Sequence, residues 1–109
     1  MDLENIININ DANYEEWNLG DKYQGEAAEV AKSMGTEKLG FHLEILHSGK
    51  FSCPYHFHHS EEELFLVLDG KAILRQNNEY RELKKGDLVY FSPDEKGAHQ
   101  FYNHTDADF

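Results

Sequence analysis

From Phe41 to Asn103 the chain breaks into short apolar runs divided by turn-forming residues roughly every 8–12 positions, a spacing that suits strands and leaves no room for long helices. Phe41, Leu43 and Ile45 alternate with His42 and Glu44, and Ser48-Gly49-Lys50 turns. Phe51–His58 reads as a strand in which Pro54 must occupy an edge or irregular position, because it has no N–H to donate. Glu63–Leu68 leads through Asp69-Gly70 into Ala72-Ile73-Leu74-Arg75, the pattern of a hairpin. Asn77-Asn78 turns into Tyr80–Leu83, and Lys84-Lys85-Gly86-Asp87 into Leu88–Phe91. Ser92–Gly97 is a loop, and Ala98–Asn103 a further strand. The sum predicts an antiparallel sandwich or closed barrel.

The segment ahead of Phe41 carries mixed signals. Ile6–Ile9 suits a short strand, and Asn13-Tyr14-Glu15-Glu16 has the capping-box spacing for one helical turn through Trp17. Glu26–Lys32 favours helix by propensity, yet Tyr23, Gly25 and Ala27 alternate as in an edge strand.

At 109 residues the chain has material for one core, not two. Its formal net charge of −11 repels phosphate backbones and anionic headgroups, so neither nucleic acid nor a membrane is expected as a partner. No run is apolar enough to span a bilayer, and Met1–Asn5 lacks the basic and apolar regions of a signal peptide. Cys53 is the lone cysteine, so no intrachain disulfide forms. A cytoplasmic setting is the expectation.

The chemistry concentrates in His56-Phe57-His58-His59-Ser60-Glu61-Glu62-Glu63. On a strand His56 and His58 point to one face, and Glu63 opens the next strand, so two imidazoles and a carboxylate make a partial shell for a divalent ion. His99 is available as a fourth donor. His42, His47, His59 and His104 read as surface or loop histidines, His59 being the one placed to be recruited to the site. Cys53 lacks a recognisable base beside it and reads as a small packing residue.

His-x-His, four residues, Glu, six residues, Gly resembles the first signature of the cupin superfamily, and His99 with three residues to Asn103 resembles the end of the second. The likeness spans about residues 40–103. Three spacings depart from the pattern: Gly49 stands one residue early, Pro93 one residue late, and Gly97 is displaced relative to both Pro93 and His99. The resemblance implies an all-β fold, an antiparallel double-stranded β-helix (jelly-roll or cupin barrel) over residues 36–109. Residues 1–35 are then expected as a short N-terminal extension packed on it, with Tyr23–Lys32 as strand. It further implies His56, His58, Glu63 and His99 as the ligands of a divalent transition metal: iron, manganese, nickel, zinc or copper. A barrel of this kind needs one more strand after the one bearing His99. Only His104–Phe109 remain, so the chain is expected to be shortened or to take that pairing from a partner.

With His56 and His58 inward, Tyr55 and Phe57 face out; with Glu63, Phe65 and Val67 inward, Leu64, Leu66 and Leu68 face out. Phe65, Val67 and Phe101 should line a ligand site, with Tyr90 or Phe91 beside them according to register, Tyr90 being taken. The outer patch calls for a cover, either the amino-terminal segment with Tyr14, Trp17 and Tyr23 or a second subunit, and a homodimer is the expectation. Open metal positions and an apolar lining fit a small-molecule ligand. The functional readings are a metal-dependent oxygenase or isomerase, a non-catalytic small-molecule binding or sensing module, and a metal-free relic. No second acid–base pair stands out near the ligands; Tyr55, Cys53 and His59 are the available groups.

Overall fold

The computed structural model describes residues 5–55 and 61–109. Two of the expected metal ligands, His56 and His58, lie outside the described residues, as do Phe57, His59 and Ser60. The elements run β1 (Glu15–Asn18), β2 (Gln24–Ala28), α1 (Val30–Met34), β3 (Leu43–Leu46), β4 (Glu63–Leu66), β5 (Lys71–Gln76), β6 (Glu79–Lys84), β7 (Leu88–Phe91) and β8 (His99–Tyr102). They form three antiparallel groups in the orders β1-β2-β3, β4-β7 and β6-β5-β8. The fold is all-β with little helix, as the punctuated pattern implies. No helix among the described residues is long and apolar enough to cross a membrane.

The core lies between these groups. Leu46 from β3, Val67 beyond β4, Leu74 and Leu83 from β5 and β6, Phe91 from β7 and Phe101 from β8 pack as one cluster, joined by Phe65, Val89 and Phe109. Alternation on β4 follows the expected faces: Phe65 and Val67 turn in, while Leu64, Leu66 and Leu68 are exposed.

Asn77 and Asn78 both take positive φ (52° and 62°), which closes the two-residue hairpin from β5 to β6. Asp69-Gly70 does not make the hairpin its sequence suggests. β4 pairs with β7, extended by Val67 N–H donating to Asp87 O and Gly86 N–H to Val67 O (2.9 and 2.8 Å). β5 instead pairs with β6 and β8. Gly70 (φ +78°) turns the chain from one group into another, against the backbone of Asp108, whose oxygen would lie 2.5 Å from a Cβ at this position. Two-residue turns serve hairpins and corners alike, so the dipeptide does not tell which.

The amino-terminal segment departs most from expectation. Ile6–Ile9 is not a strand; a 3-10 turn at Ile9–Asp11 follows Asn8, whose side chain accepts from Asn10 N–H. The helical turn expected through Trp17 is replaced by β1, because Trp17 stands opposite Gly25, where the missing side chain makes room for the indole. Tyr23–Lys32 divides its two readings: β2 ends at Ala28, and α1 begins at Val30. Gly35 (φ +75°) stops that helix with its N–H on Lys32 O, while Thr36 N–H reaches Ala31 O. Within Phe51–His58, Phe51 forms an isolated bridge to Tyr102, and residues 52–55 bend, so Pro54 sits on irregular backbone.

Past β8, Asn103 is fully buried and organises the following residues. Its side-chain NH2 donates to Leu46 O (2.9 Å) and Ala107 O (2.7 Å), and its carbonyl accepts from Thr105 N–H and Oγ1. Phe109 and Leu46 then exchange two backbone hydrogen bonds of 2.6 and 3.0 Å, seating Phe109 against the core.

Candidate functional site

The first residue of β4 and the first of β8 meet across the interior. His99 is 2% exposed, and its Nε2 lies 3.9 Å from Glu63 Oε1. A carbonyl oxygen can only accept, so the 2.7 Å contact from His99 Nδ1 to Gly97 O requires the proton on Nδ1. In the neutral ring the lone pair is then on Nε2, the nitrogen that faces Glu63. Phe91 stacks on the imidazole at 3.6 Å between centroids and 13° between planes, with Phe65 and Phe101 edge-on or steeply inclined to it at 5.8 Å. The ring is thus held in both position and tilt.

These two residues satisfy the chemistry of a metal pair. A separation of 3.9 Å is too long for a hydrogen bond but within the roughly 4.3 Å that two N and O donors of one ion can span. The backbone carbonyl on the second nitrogen is the customary support for a ligating histidine. Among the described residues no three His, Cys, Asp or Glu side chains converge in this way. The segment leading to His56 is nevertheless fixed against β8. Ser52 N–H donates to Phe101 O (2.9 Å), Phe101 N–H to Ser52 Oγ (3.0 Å), and Gln100 Nε2 to Cys53 O (2.8 Å). Tyr55 lays its ring against the Arg75 guanidinium (4.3 Å) and accepts from Asn77 N–H at its hydroxyl. Gln76 of β5 pairs with His99, so the residue just before His56 is anchored at the His99 end of the ladder.

Of the expected lining residues, Phe65, Val67 and Phe101 border an open cleft of about 1190 Å³ between β3 and β4, which Glu63 also lines. Tyr90 does not belong with them. It is 54% exposed on the opposite face of β7, and Phe91 takes the inward position because Glu63 pairs with Phe91 and Leu64 with Tyr90. Tyr55, expected on the outer patch, packs on Arg75 instead.

Two features escaped the sequence. His42 is exposed, as its surface reading expects, but it also borders the cleft and shares a 3.0 Å hydrogen bond from Nε2 to Glu44 Oε1. That bond raises the His42 pKa above 6.5, partial burial opposes it, and the negative charges of Glu44, Glu29 and Glu63 add to the rise. Its signal was the i, i+2 spacing on a strand, which also marks any same-face pair. Gly97 is the second: a side chain there would run into the Ser92 carbonyl, so this displaced glycine is what lets the loop close beneath His99. Burial pushes the Cys53 thiol pKa up, against a smaller lowering from its hydrogen bond with Ser52.

The cupin domain family model matches residues 42–109. Among solved structures, a candidate sugar phosphate isomerase from Acidithiobacillus ferrooxidans superposes with a TM-score of 0.85 at 28% identity, covering 96% of this chain and 70% of that one. A candidate oxalate decarboxylase from Thermotoga maritima gives 0.75 at 21% identity, covering 94% and 90%, a likeness of fold alone. An uncharacterised protein of Methanocaldococcus jannaschii is 38% identical over 48 residues, which make up 44% of this chain and 37% of that protein. The matched span covers more than half of the sequence and contains β3 to β8 with Glu63 and His99, and the chain belongs to the cupin domain family.

Proposed function

We propose that this chain holds a divalent transition metal through His56, His58, Glu63 and His99 and isomerises a small hydroxy-carbonyl compound bound in the adjoining cleft. The observation that carries the reading is His99 itself, buried, stacked on Phe91, held through Nδ1 by the Gly97 carbonyl and facing Glu63 with Nε2. A metal bound there supplies Lewis-acid polarisation of a substrate oxygen. Phe65, Val67 and Phe101 exclude water from one side of that substrate. The His42–Glu44 pair is the proton-moving group, taking the proton from the hydroxyl-bearing carbon beside the carbonyl and returning it to the former carbonyl carbon, while the hydroxyl proton passes to the former carbonyl oxygen. A pKa above 6.5 suits this exchange near neutrality. The likeness to a candidate sugar phosphate isomerase at 28% identity supports reading isomerisation ahead of oxygen insertion. The cleft lining itself favours an uncharged substrate over a phosphorylated one: Lys32 and Lys38 are its lysines, against Glu29, Glu37, Glu44, Glu61, Glu62, Glu63, Asp69 and Asp108.

The test is elemental analysis of the purified protein, followed by proton exchange and isomer formation with a panel of neutral sugars and their phosphates. Near one equivalent of metal, lost in His58→Ala, supports the metal reading; none in either protein refutes it. Turnover that falls on the order of 10²–10⁴-fold in His42→Gln, with metal retained, supports the proton-transfer role. The second reading, a non-catalytic binding module, draws on the exposure of the His42–Glu44 pair, about 46% and 43% for the two side chains, which leaves water competing for its proton. A thermal shift from a sugar without turnover would select it.

A further inference from the structure

On the edge away from β5, β8 is joined by residues 49–52. Gly49 N–H donates to Asn103 O (2.8 Å), Asn103 N–H to Lys50 O (2.9 Å) and Ser52 N–H to Phe101 O (2.9 Å), with Phe51 bridged to Tyr102. Along an antiparallel edge every second residue donates, so the next donor is due at position 54, and Pro54 has no N–H. The chain bends over residues 52–55 instead, and side chains hold it there. Phe101 N–H goes to Ser52 Oγ (3.0 Å). Gln100, only 9% exposed, donates through Nε2 to Cys53 O (2.8 Å). Arg75, the ladder partner of Gln100, lays its guanidinium over the Tyr55 ring at 4.3 Å, and Asn77 N–H donates to the Tyr55 hydroxyl (3.2 Å). The same end of β5 reaches the loop before His99: Gln76, paired with His99, donates through Nε2 to Lys96 O (3.4 Å).

We propose that Gln100 and Arg75 are positioning residues for a metal bound by this chain, fixing the segment that leads into His56 relative to His99. The inference rests on the metal reading above and adds to it two side chains that ligate nothing. One planar peptide bond joins Tyr55 to His56, so the backbone entering His56 starts from wherever Tyr55 is held. The two holds restrain different motions. The Gln100 amide ties Cys53 to the edge of β8, while the Arg75–Tyr55 stack sets how far the chain crosses toward β5. A metal site gains affinity when its ligands are placed before the ion arrives, because no ordering is then left to the binding step. Neither residue belongs to the core cluster, so the loss of either acts through placement and not through packing.

Titration of the metal-free full chain with cobalt(II), read by calorimetry and by the visible absorption of the bound ion, tests this. The wild-type chain is expected to bind cobalt. Gln100→Leu removes the donor at nearly constant volume, and Arg75→Met keeps the stem and loses the cation. Each should weaken binding by about 10–100-fold and change the absorption of the bound ion, while circular dichroism of the metal-free protein stays as in the wild type. Should Gln100→Leu fail to fold, Gln100→Met carries the same expectation. The double variant should lose less than the product of the single losses, because both side chains hold one segment. Single variants with wild-type affinity and absorption overturn the positioning role and leave the metal reading standing. Losses that multiply overturn the shared role as well. A wild-type chain that binds no cobalt overturns both readings together.

Discussion

The two faces of the β4–β7 pair are built from adjacent residues of the same strands and have opposite fates. Glu63, Phe65 and Phe91 turn inward onto His99, where rings pack at centroid distances down to 3.6 Å and His99 and Phe91 are buried. Leu64, Leu66, Leu88 and Tyr90 turn outward and remain more than half exposed. Hydrophobicity does not distinguish them, since the outer face is the more aliphatic. What distinguishes them is partner: the inner face meets other strands of its own chain. Substitutions should therefore differ in cost, inner ones reaching the packed core and outer ones leaving the fold nearly unchanged.

The largest effect belongs to His99→Ala. It removes the ring on which Phe91, Phe65 and Phe101 converge together with the donor facing Glu63. Metal affinity measured by calorimetric titration should fall by more than ~100-fold, beyond what supporting residues around a ligand usually carry. An unchanged affinity would mean that the inner face holds no metal and that the contrast between faces is one of packing only.

Phe91→Ala comes next. Phe91 is 1% exposed and touches the cluster on one side and the imidazole on the other, so its loss should cost about 3–5 kcal/mol in denaturant unfolding. The matched outer change, Leu66→Ser, should stay within ~0.5 kcal/mol for the monomer, measured at dilution. Equal costs at the two positions would erase the distinction between faces.

Gly97→Ala probes the inner face from its loop. The added methyl group meets the Ser92 carbonyl, so the loop must shift, and the Gly97 carbonyl that holds His99 Nδ1 shifts with it. Metal affinity should drop by about 10–100-fold while the apolar core, and with it most of the unfolding free energy, is retained. Ser92→Ala, which keeps the backbone carbonyl, should leave affinity as it was.

These contrasts also explain what could be read from the sequence. Alternation on β4, the Asn77-Asn78 hairpin and the Gly86 turn are local, and their residues state them outright. The partner of β4 is not local: Leu66 pairs with Leu88 rather than with the nearby β5, and nothing in Asp69-Gly70 signals a corner in place of a hairpin. Trp17 failed for the same reason, since the deciding residue, Gly25, lies across the ladder. Glu63 and His99, singled out by donor type and spacing, stand within 3.9 Å of each other in the fold. Tyr90 was misplaced because a register uncertain by one residue exchanges every side chain for its neighbour. The His42–Glu44 hydrogen bond joins two exposed side chains, and the cleft they border forms from distant elements that the local pattern does not state.

The smallest effect lies at the rim, where His42 is shared between the cleft and water. Its pKa is raised above 6.5, chiefly by the hydrogen bond to Glu44. A group whose folded pKa exceeds the unfolded value stabilises fully below the unfolded one and loses that contribution as pH rises through the folded one. The His42–Glu44 interaction should therefore be complete below pH 6.5 and fade above it, through the raised pKa. Followed by NMR, the His42 ring protons should titrate above 6.5 in the wild-type chain and lower in Glu44→Gln, where the charged acceptor is gone. Because both side chains are exposed, unfolding measured across the same range should change little, unlike the inner positions. A His42 that titrates identically in both proteins would remove Glu44 as its partner, and the rim would then belong with the outer face.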